Sequence, residues 1–126
     1  MMDILYKDES YAIIGAAMEV HNTLGQGFLE EVYQQALKIE FSKRAIPHFS
    51  QAPMKIDYKG TILEKKFFAD FFCFDDIIVE IKAVSAILPE HEAQIINYLK
   101  ASGIQLGILI NFGTDKLIYK SYLNTD

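Results

Sequence analysis

The sequence predicts an α/β fold in which helices flank a central mixed β-sheet, in the order ααβββ(β)αβ(β). Three observations predict it: two segments of helical period open the chain, the middle has the period of strands, and a further helix precedes a continuous apolar run. The chain has 126 residues, 51% of them hydrophobic, so we expect one domain over residues 1–126 with its own core.

Two amphipathic helices are expected at the start of the chain. Apolar residues recur at helical spacing over residues 8–22, and a second apolar stripe runs from about residue 29 to residue 44. Gly25 lies where a left-handed end to the first helix is expected. On that helix, His21 is expected to be a hydrogen-bonded core residue rather than a catalytic one.

In the middle of the chain the spacing of apolar residues changes from that of a helix to that of a strand. Residues 54–58 alternate and residues 61–65 return after a turn at Lys59-Gly60, which predicts a first hairpin. Residues 67–74 and 77–84 are two strongly apolar strands on either side of the acidic turn Asp75-Asp76, and Cys73 in the first of them is expected to be buried.

The last third of the chain predicts one helix and one or two strands. Pro89 is well placed as the first residue of a helix that runs to Ser102 and stops at Gly103. Residues 106–111 are continuously apolar, which is typical of a strand buried on both faces. Residues 116–122 are a candidate for a final edge strand.

Composition excludes several classes of protein. Twelve Lys plus Arg against seventeen Asp plus Glu give a net charge of −5, which argues against a general nucleic-acid coat protein but not against a nuclease, since metal-binding carboxylates add acid. The single Cys73 excludes a disulfide framework and a Cys-rich zinc site. The chain shows neither a secretory signal nor an apolar run long enough to span a bilayer, so a cytoplasmic protein without a membrane partner is expected.

Three charged residues interrupt the two most apolar strands. Asp70 lies in one strand, and Glu80 and Lys82 lie on one face of the next, with Ile81 on the other face. Charges in such surroundings are costly unless they are paired, solvated or bound to metal. A plain salt bridge between Lys82 and one of the two acids is therefore an alternative to a functional site.

Two helices are expected to bring further polar groups to the same place. His91, Gln94 and Tyr98 share one face of the third helix, and Glu30 and Tyr33 share a face near the start of the second. We expect Tyr33 to be mainly a packing residue whose hydroxyl fixes the region around Glu30.

The register of the hairpin about Asp75-Asp76 decides whether the acids can meet. A two-residue turn, the commoner kind, would pair Phe74 with Ile77 and point Asp70 away from Glu80. A three-residue loop over residues 74–76 would set Asp70 opposite Glu80. A shared site requires the second register, or a bulge that restores it.

Several short motifs resemble one known family. Gly27-Phe28-Leu29-Glu30-Glu31-Val32-Tyr33 resembles the motif of the GxxExxY proteins, a mostly bacterial and archaeal branch of the PD-(D/E)XK nuclease superfamily. The resemblance continues through residues 13–21, 69–70, 79–84, 91–94 and 107–112, and so spans nearly the whole chain.

The resemblance implies a restriction-endonuclease-like core and a role for each matching residue. Asp70 corresponds to the strand aspartate, and Glu80 with Lys82 to the (D/E)-x-K motif. Gln94 with Tyr98 corresponds to the Q-x-x-x-Y element, and Glu30 to the helical glutamate of the metal site. Phe68 stands where the family often has Arg, so a substrate-contacting cation is not expected there.

The implied function is that of a divalent-metal-dependent nuclease that hydrolyses phosphodiester bonds of nucleic acid, and DNA rather than RNA is the expected partner. Mg²⁺ or Mn²⁺ would be held by Asp70, Glu80, Glu30 and the backbone carbonyl of Ile81. Lys82 and Gln94 would complete the catalytic set, with Tyr98, His91 and Tyr33 contacting substrate or supporting the site.

A catalytically inactive nuclease-fold module is the alternative, acting in dimerisation or partner binding. The adjacent pairs Phe67-Phe68 and Phe71-Phe72 are expected to leave an exposed apolar patch for such contacts, and a homodimer is compatible with either function.

Overall fold

The computed structural model describes residues 6–124. Its helices are α1 (Lys7–Leu24), α2 (Glu30–Lys43) and α3 (Pro89–Ser102). Its strands are β1 (His48–Met54), β2 (Asp57–Tyr58), β3 (Thr61–Ile62), β4 (Phe67–Cys73), β5 (Ile77–Lys82), β6 (Leu106–Asn111) and β7 (Ile118–Leu123).

Five of the strands form one mixed sheet in the order β1-β4-β5-β6-β7. Only β5 and β6 are parallel within this sheet, and the other neighbours are antiparallel. The parallel pair follows from the chain path, because α3 carries the chain back over the sheet between β5 and β6. The mixed α/β fold expected from the sequence is therefore present.

The helices cover opposite faces of this sheet. Ile77, Val79 and Ile81 of β5 belong to a large apolar cluster with α1 and α2, whereas Ile78 packs in a second cluster with Leu99 of α3. Since side chains alternate along a strand, Glu80 and Lys82 follow Ile78 onto the α3 face. No helix within residues 6–124 is both long and apolar enough to cross a membrane.

The first hairpin turns at Lys59-Gly60 as predicted, but its strands are shorter than expected. The strand expected over residues 54–58 is not formed as such: the chain instead contributes β1 to the edge of the main sheet, and β2 and β3 form a separate two-stranded hairpin. Pro53 lies inside β1, and a proline within a segment argues against predicting a strand there. An edge strand tolerates proline because one of its sides needs no partner. The expected final edge strand is present as β7.

Candidate functional site

The loop between β4 and β5 sets the register that the site requires. Residues 74–76 form the connection, with Phe74 and Asp75 both left-handed at φ 57° and 58°. Cys73 pairs with Ile77, and the ladder continues to Phe71 and Val79. The three-residue alternative is therefore confirmed, and the next positions along the two strands are Asp70 and Glu80.

Backbone pairing between β4 and β5 gives way to side chains at these two residues. The N–H of Asp70 donates to Oε2 of Glu80 at 2.8 Å, and the N–H of Ile81 donates to Oδ2 of Asp70 at 2.8 Å. Each carboxylate thus takes the place that a backbone carbonyl holds in a regular ladder. The two acids are fixed side by side in a gap between the strands.

β4 is distorted at Asp70. Phe67 and Ala69 pack in the cluster with α3, whereas Phe71 and Cys73 pack in the cluster with α1 and α2. In a regular strand these four odd-numbered residues would share one face, so the alternation is interrupted at Asp70.

Two glutamines accompany this distortion. Gln51 of β1 lies between the pairs that flank Asp70 and has a left-handed backbone, φ 52°. The side chain of Gln34 on α2 donates to the carbonyl oxygen of Asp70 at 3.0 Å. The backbone of Asp70 is therefore held by α2 and by Glu80 at a break in the β1–β4 ladder.

Burial makes the carboxylate pair electrostatically unusual. Glu80 is only 6% exposed. Burial, followed by the negative charge of Asp70, raises the pKa of Glu80 to about 8. Burial also raises the pKa of Asp70, opposed by the Ile81 hydrogen bond and by Lys82. A positive ion at this position would offset both effects.

Lys82 is half-buried beside the acids without pairing to either. The ion pairs among the described residues join Arg44 to Glu40 at 2.7 Å and Lys120 to Glu92 at 3.3 Å. The positive charge of Lys82 nevertheless lowers the pKa of both Asp70 and Glu80. The plain salt bridge is therefore not the arrangement found in this part of the chain, and the ammonium group stays available.

Glu30 begins α2 next to the acid pair. Desolvation and the charge of Asp70 raise its pKa, and the positive charges of Lys82 and His91 oppose this, although the side chain keeps contact with solvent. Over residues 6–124, no three His, Cys, Asp or Glu side chains are grouped so that they could hold a metal ion. Glu30 is close enough to affect the pair, but it is not a preformed third ligand.

α3 contributes a linked pair of polar groups. Nε2 of Gln94 donates to the Tyr98 hydroxyl at 2.8 Å, and the Tyr98 ring stacks on Phe67 with centroids 3.8 Å apart. Burial and the charges of Glu80 and Asp70 raise the pKa of Tyr98. His91 instead accepts the Leu88 N–H on Nδ1 at 3.0 Å, which caps the start of α3.

The structural roles predicted for Tyr33, His21 and Cys73 are found in the structure. Tyr33 is fully buried, stacks on Phe112, donates its hydroxyl to the carbonyl of Gly25 at 2.5 Å and accepts the Phe28 N–H at 3.3 Å. It thereby fixes the turn that precedes Glu30. His21 is buried and bonds through Nε2 to the carbonyl of Thr114 at 2.9 Å, and Cys73 is buried.

The prediction that the adjacent phenylalanines form an exposed apolar patch is wrong for three of the four residues. Phe67 and Phe71 are buried and Phe72 is half-buried, because this strand lies inside the sheet with a helix layer on each face. Phe68 alone of the four is exposed, at 55%.

Asn111 supports the site and was not singled out from the sequence. It is buried, accepts the N–H groups of Val84 and Gly113 on Oδ1 at 3.0 Å, and donates from Nδ2 to the Val84 carbonyl at 2.9 Å. This clamp fixes the chain two residues beyond Lys82. The sequence signal that could have identified Asn111 is its position as a polar residue at the end of the apolar strand β6.

Comparison with known proteins places the chain in a family. The profile of the PD-(D/E)XK nuclease superfamily matches residues 7–121. A crystal structure of SSO0001 is similar, with a TM-score of 0.60 and 19% sequence identity over 97% of this chain, which spans 62% of that protein's chain. At this identity the likeness concerns the fold. No curated protein matches the chain. Since the family profile covers both strand acids, Lys82 and all three helices, the chain belongs to the PD-(D/E)XK nuclease superfamily.

Proposed function

We propose that the protein is a divalent-metal-dependent nuclease of the GxxExxY branch, with DNA as its preferred substrate. One observation carries the proposal: Asp70 and Glu80 face each other where β4 and β5 stop pairing, with Lys82 free of any ion pair in the described chain two residues further on. The motif from Gly27 to Tyr33 supports the branch.

The donors at this position fit a hard cation. Asp70 and Glu80 supply carboxylate oxygens, the ligands that Mg²⁺ and Mn²⁺ prefer. The N–H of Ile81 points toward β4. Because the N–H and C=O of one strand residue point to the same side, the Ile81 carbonyl opens toward the same gap. Glu30 would join as a further ligand when its solvent-exposed side chain turns inward.

When bound, the cation would acidify a water molecule and polarise the scissile phosphate. Lys82 would orient that water or stabilise the charge that develops on the phosphate. Gln94 and Tyr98 would position the substrate backbone or Lys82, since their hydrogen bond holds both side chains on the α3 side of the acids.

A cleavage panel tests the proposal. Labelled single- and double-stranded DNA and RNA are incubated with the protein in Mg²⁺, Mn²⁺ or EDTA. We expect metal-dependent cleavage of at least one substrate, and a loss of roughly 100-fold or more in Lys82→Ala, the magnitude typical for removing a group that stabilises developing charge. Lys100→Ala, an exposed lysine on α3, is the matched control. Activity in Lys82→Ala equal to wild type would overturn the catalytic assignment.

One observation favours the alternative of a dimerising module. An apolar groove of about 610 Å³ lies between α1 and the edge strand β7, lined by Tyr11, Ile14, Met18 and Tyr119 among others. Tyr11 is 83% exposed. A second copy of the chain, joined through this groove and the open edge of β7, would cover both. Light scattering of wild type against Tyr11→Glu tests this: a dimer that becomes monomeric supports it, and a wild-type monomer contradicts it.

A further inference from the structure

A polar cavity opens on the α2 side of the acid pair. It has a volume of about 260 Å³ and is lined by Glu30, Glu31, Gln34, Gln35, Gln51 and Asp70. Only Glu30 and Asp70 have a place in the proposed chemistry. Gln34 and Gln51 hydrogen-bond to Asp70, whereas Gln35 and Glu31 have no role in the metal centre.

The size of the cavity suits a small ligand. One water molecule accounts for about 30 Å³ in the liquid, so the space is much larger than a water site needs. Pockets for drug-sized ligands begin at about 300 Å³. A single nucleobase is therefore the scale of group that the cavity can receive.

The lining determines the chemistry of that group. Three carboxylates and three amides surround the cavity, and none of its lining residues is a cation. Away from a bound cation, a phosphate would be repelled here, whereas a neutral group that presents hydrogen-bond donors would be attracted. Among the parts of a nucleotide, the base edge meets this description: carboxylates accept from the cytosine amino group, and glutamine pairs with both N6 and N7 of adenine.

The cavity is also held in shape. Gln34 is anchored to the Asp70 carbonyl. Gln51 has a left-handed backbone within β1, although the residues before and after it, Ser50 and Ala52, both pair with β4. Such a conformation costs about 1–3 kcal/mol in a residue other than glycine and is concentrated at functional sites. The cost is consistent with a wall residue held in place for a ligand.

We infer that this cavity receives one unpaired nucleobase next to the cleaved phosphate. The inference rests on the proposed nuclease function and adds a substrate class to it. A paired base has its edge occupied and is stacked in the duplex. The preferred substrate is therefore single-stranded, or a duplex with one base turned out, and bases that carry an amino group are preferred to uracil or thymine.

Titration with nucleosides, which lack phosphate, tests the cavity without requiring cleavage. Side-chain amide signals of the glutamines are followed by NMR while cytidine, adenosine, uridine or ribose is added to the metal-free protein. We expect cytidine or adenosine to shift the Gln35 and Gln51 signals at concentrations up to about 10 mM, the range of millimolar affinity. Uridine should shift them less, and ribose not at all.

Two variants provide the comparison. Gln51→Gly removes the amide at a backbone conformation that glycine adopts without strain, so the fold should be retained. We expect the shift of the Gln35 signal to weaken at least tenfold in apparent affinity. Gln105→Ala, an exposed glutamine outside the cavity, should respond like wild type.

The outcomes separate the two proposals. Metal-dependent cleavage by a protein whose Gln35 and Gln51 signals no nucleoside shifts would overturn the cavity assignment alone. Shifts equal for ribose and for cytidine would also overturn it. Nucleoside-dependent shifts without any cleavage would support the cavity and count against the nuclease proposal.

Discussion

Asp70 and Glu80 are locked together across the point where β4 and β5 stop pairing. The N–H of Asp70 donates to the Glu80 carboxylate, while the Asp70 carboxylate accepts the N–H of Ile81. Burial, and then the repulsion between two acids held in this way, raises the pKa of Glu80 to about 8. The arrangement is costly for the metal-free protein, and a cation would relieve that cost.

The metal-free protein should lose stability as pH rises. A carboxyl group whose pKa is raised by folding stabilises the fold fully below its unfolded value, near 4.5, and this contribution is lost as pH rises through the folded value, about 8 for Glu80. We expect a decrease on the order of a few kcal/mol between pH 5 and pH 8. Denaturant unfolding in EDTA across this range measures it.

Glu80→Gln is the matched variant for that measurement, since it keeps the shape of the side chain and cannot ionise. Its stability should change much less between pH 5 and pH 8 than that of wild type. Equal pH dependence in the two proteins would show that the buried acid does not control it.

Removing the charge of Asp70 should lower the pKa of Glu80. In Asp70→Asn the amide oxygen can still accept the Ile81 N–H, but the repulsion between the two acids is gone. We expect the pKa of Glu80 to fall and yet stay above its ordinary value, because burial is the larger cause. Carbon-detected NMR titration of the Glu80 carboxyl measures this, with exposed Asp115→Asn as the control.

Two glycine substitutions should have opposite effects on stability. A Cβ at Gly113 would lie 2.3 Å from backbone atoms of Val84, so Gly113→Ala must displace the segment that follows Lys82. We expect a loss of about 2 kcal/mol or more, as for other steric conflicts with a packed backbone.

Gly15→Ala is the comparison. Gly15 lies inside α1, and a Cβ there would meet only the side-chain tip of Arg44 at 3.4 Å. Alanine favours a helix over glycine by about 1 kcal/mol, so stability should be unchanged or slightly increased. Thermal unfolding that ranks the two variants in the reverse order would contradict the packing described around Val84.

Tyr33→Phe should loosen the turn before Glu30 without emptying the core. The ring can still stack on Phe112, while the hydrogen bonds to Gly25 and Phe28 are lost. We expect a loss of about 1 kcal/mol in unfolding free energy. Faster hydrogen exchange of the Phe28 amide would accompany it, and unchanged exchange would show that the hydroxyl does not hold the turn.

Much of this fold could be predicted because apolar residues recur in its helices and strands with a clear helical or strand periodicity. α3 follows the helical pattern with Pro89 at its first position and Gly103 at its end, and β6 is continuously apolar. β1 was missed since Pro53 and Gln51 are unusual in a strand. Its place in the sheet depends on an edge position and on a left-handed residue that the sequence does not signal.

The site was predictable to the extent that charges stood out. Asp70, Glu80 and Lys82 interrupt apolar strands, and their surroundings make them conspicuous. The register that joins the acids depends on the left-handed conformation of Phe74 and Asp75, which composition does not reveal. Gln34 and Gln51 gave no signal, because amides in polar segments are common and their roles arise only from tertiary contacts.

Calorimetric titration of Mn²⁺ into the wild-type protein and into Glu80→Gln at pH 8 tests the central claim most directly. The account predicts saturable binding by wild type, with proton release because the ion displaces the proton from Glu80, and binding weakened at least tenfold in Glu80→Gln. Absence of binding to wild type, or equal affinity in the two proteins, would contradict the assignment of Asp70 and Glu80 as a metal centre.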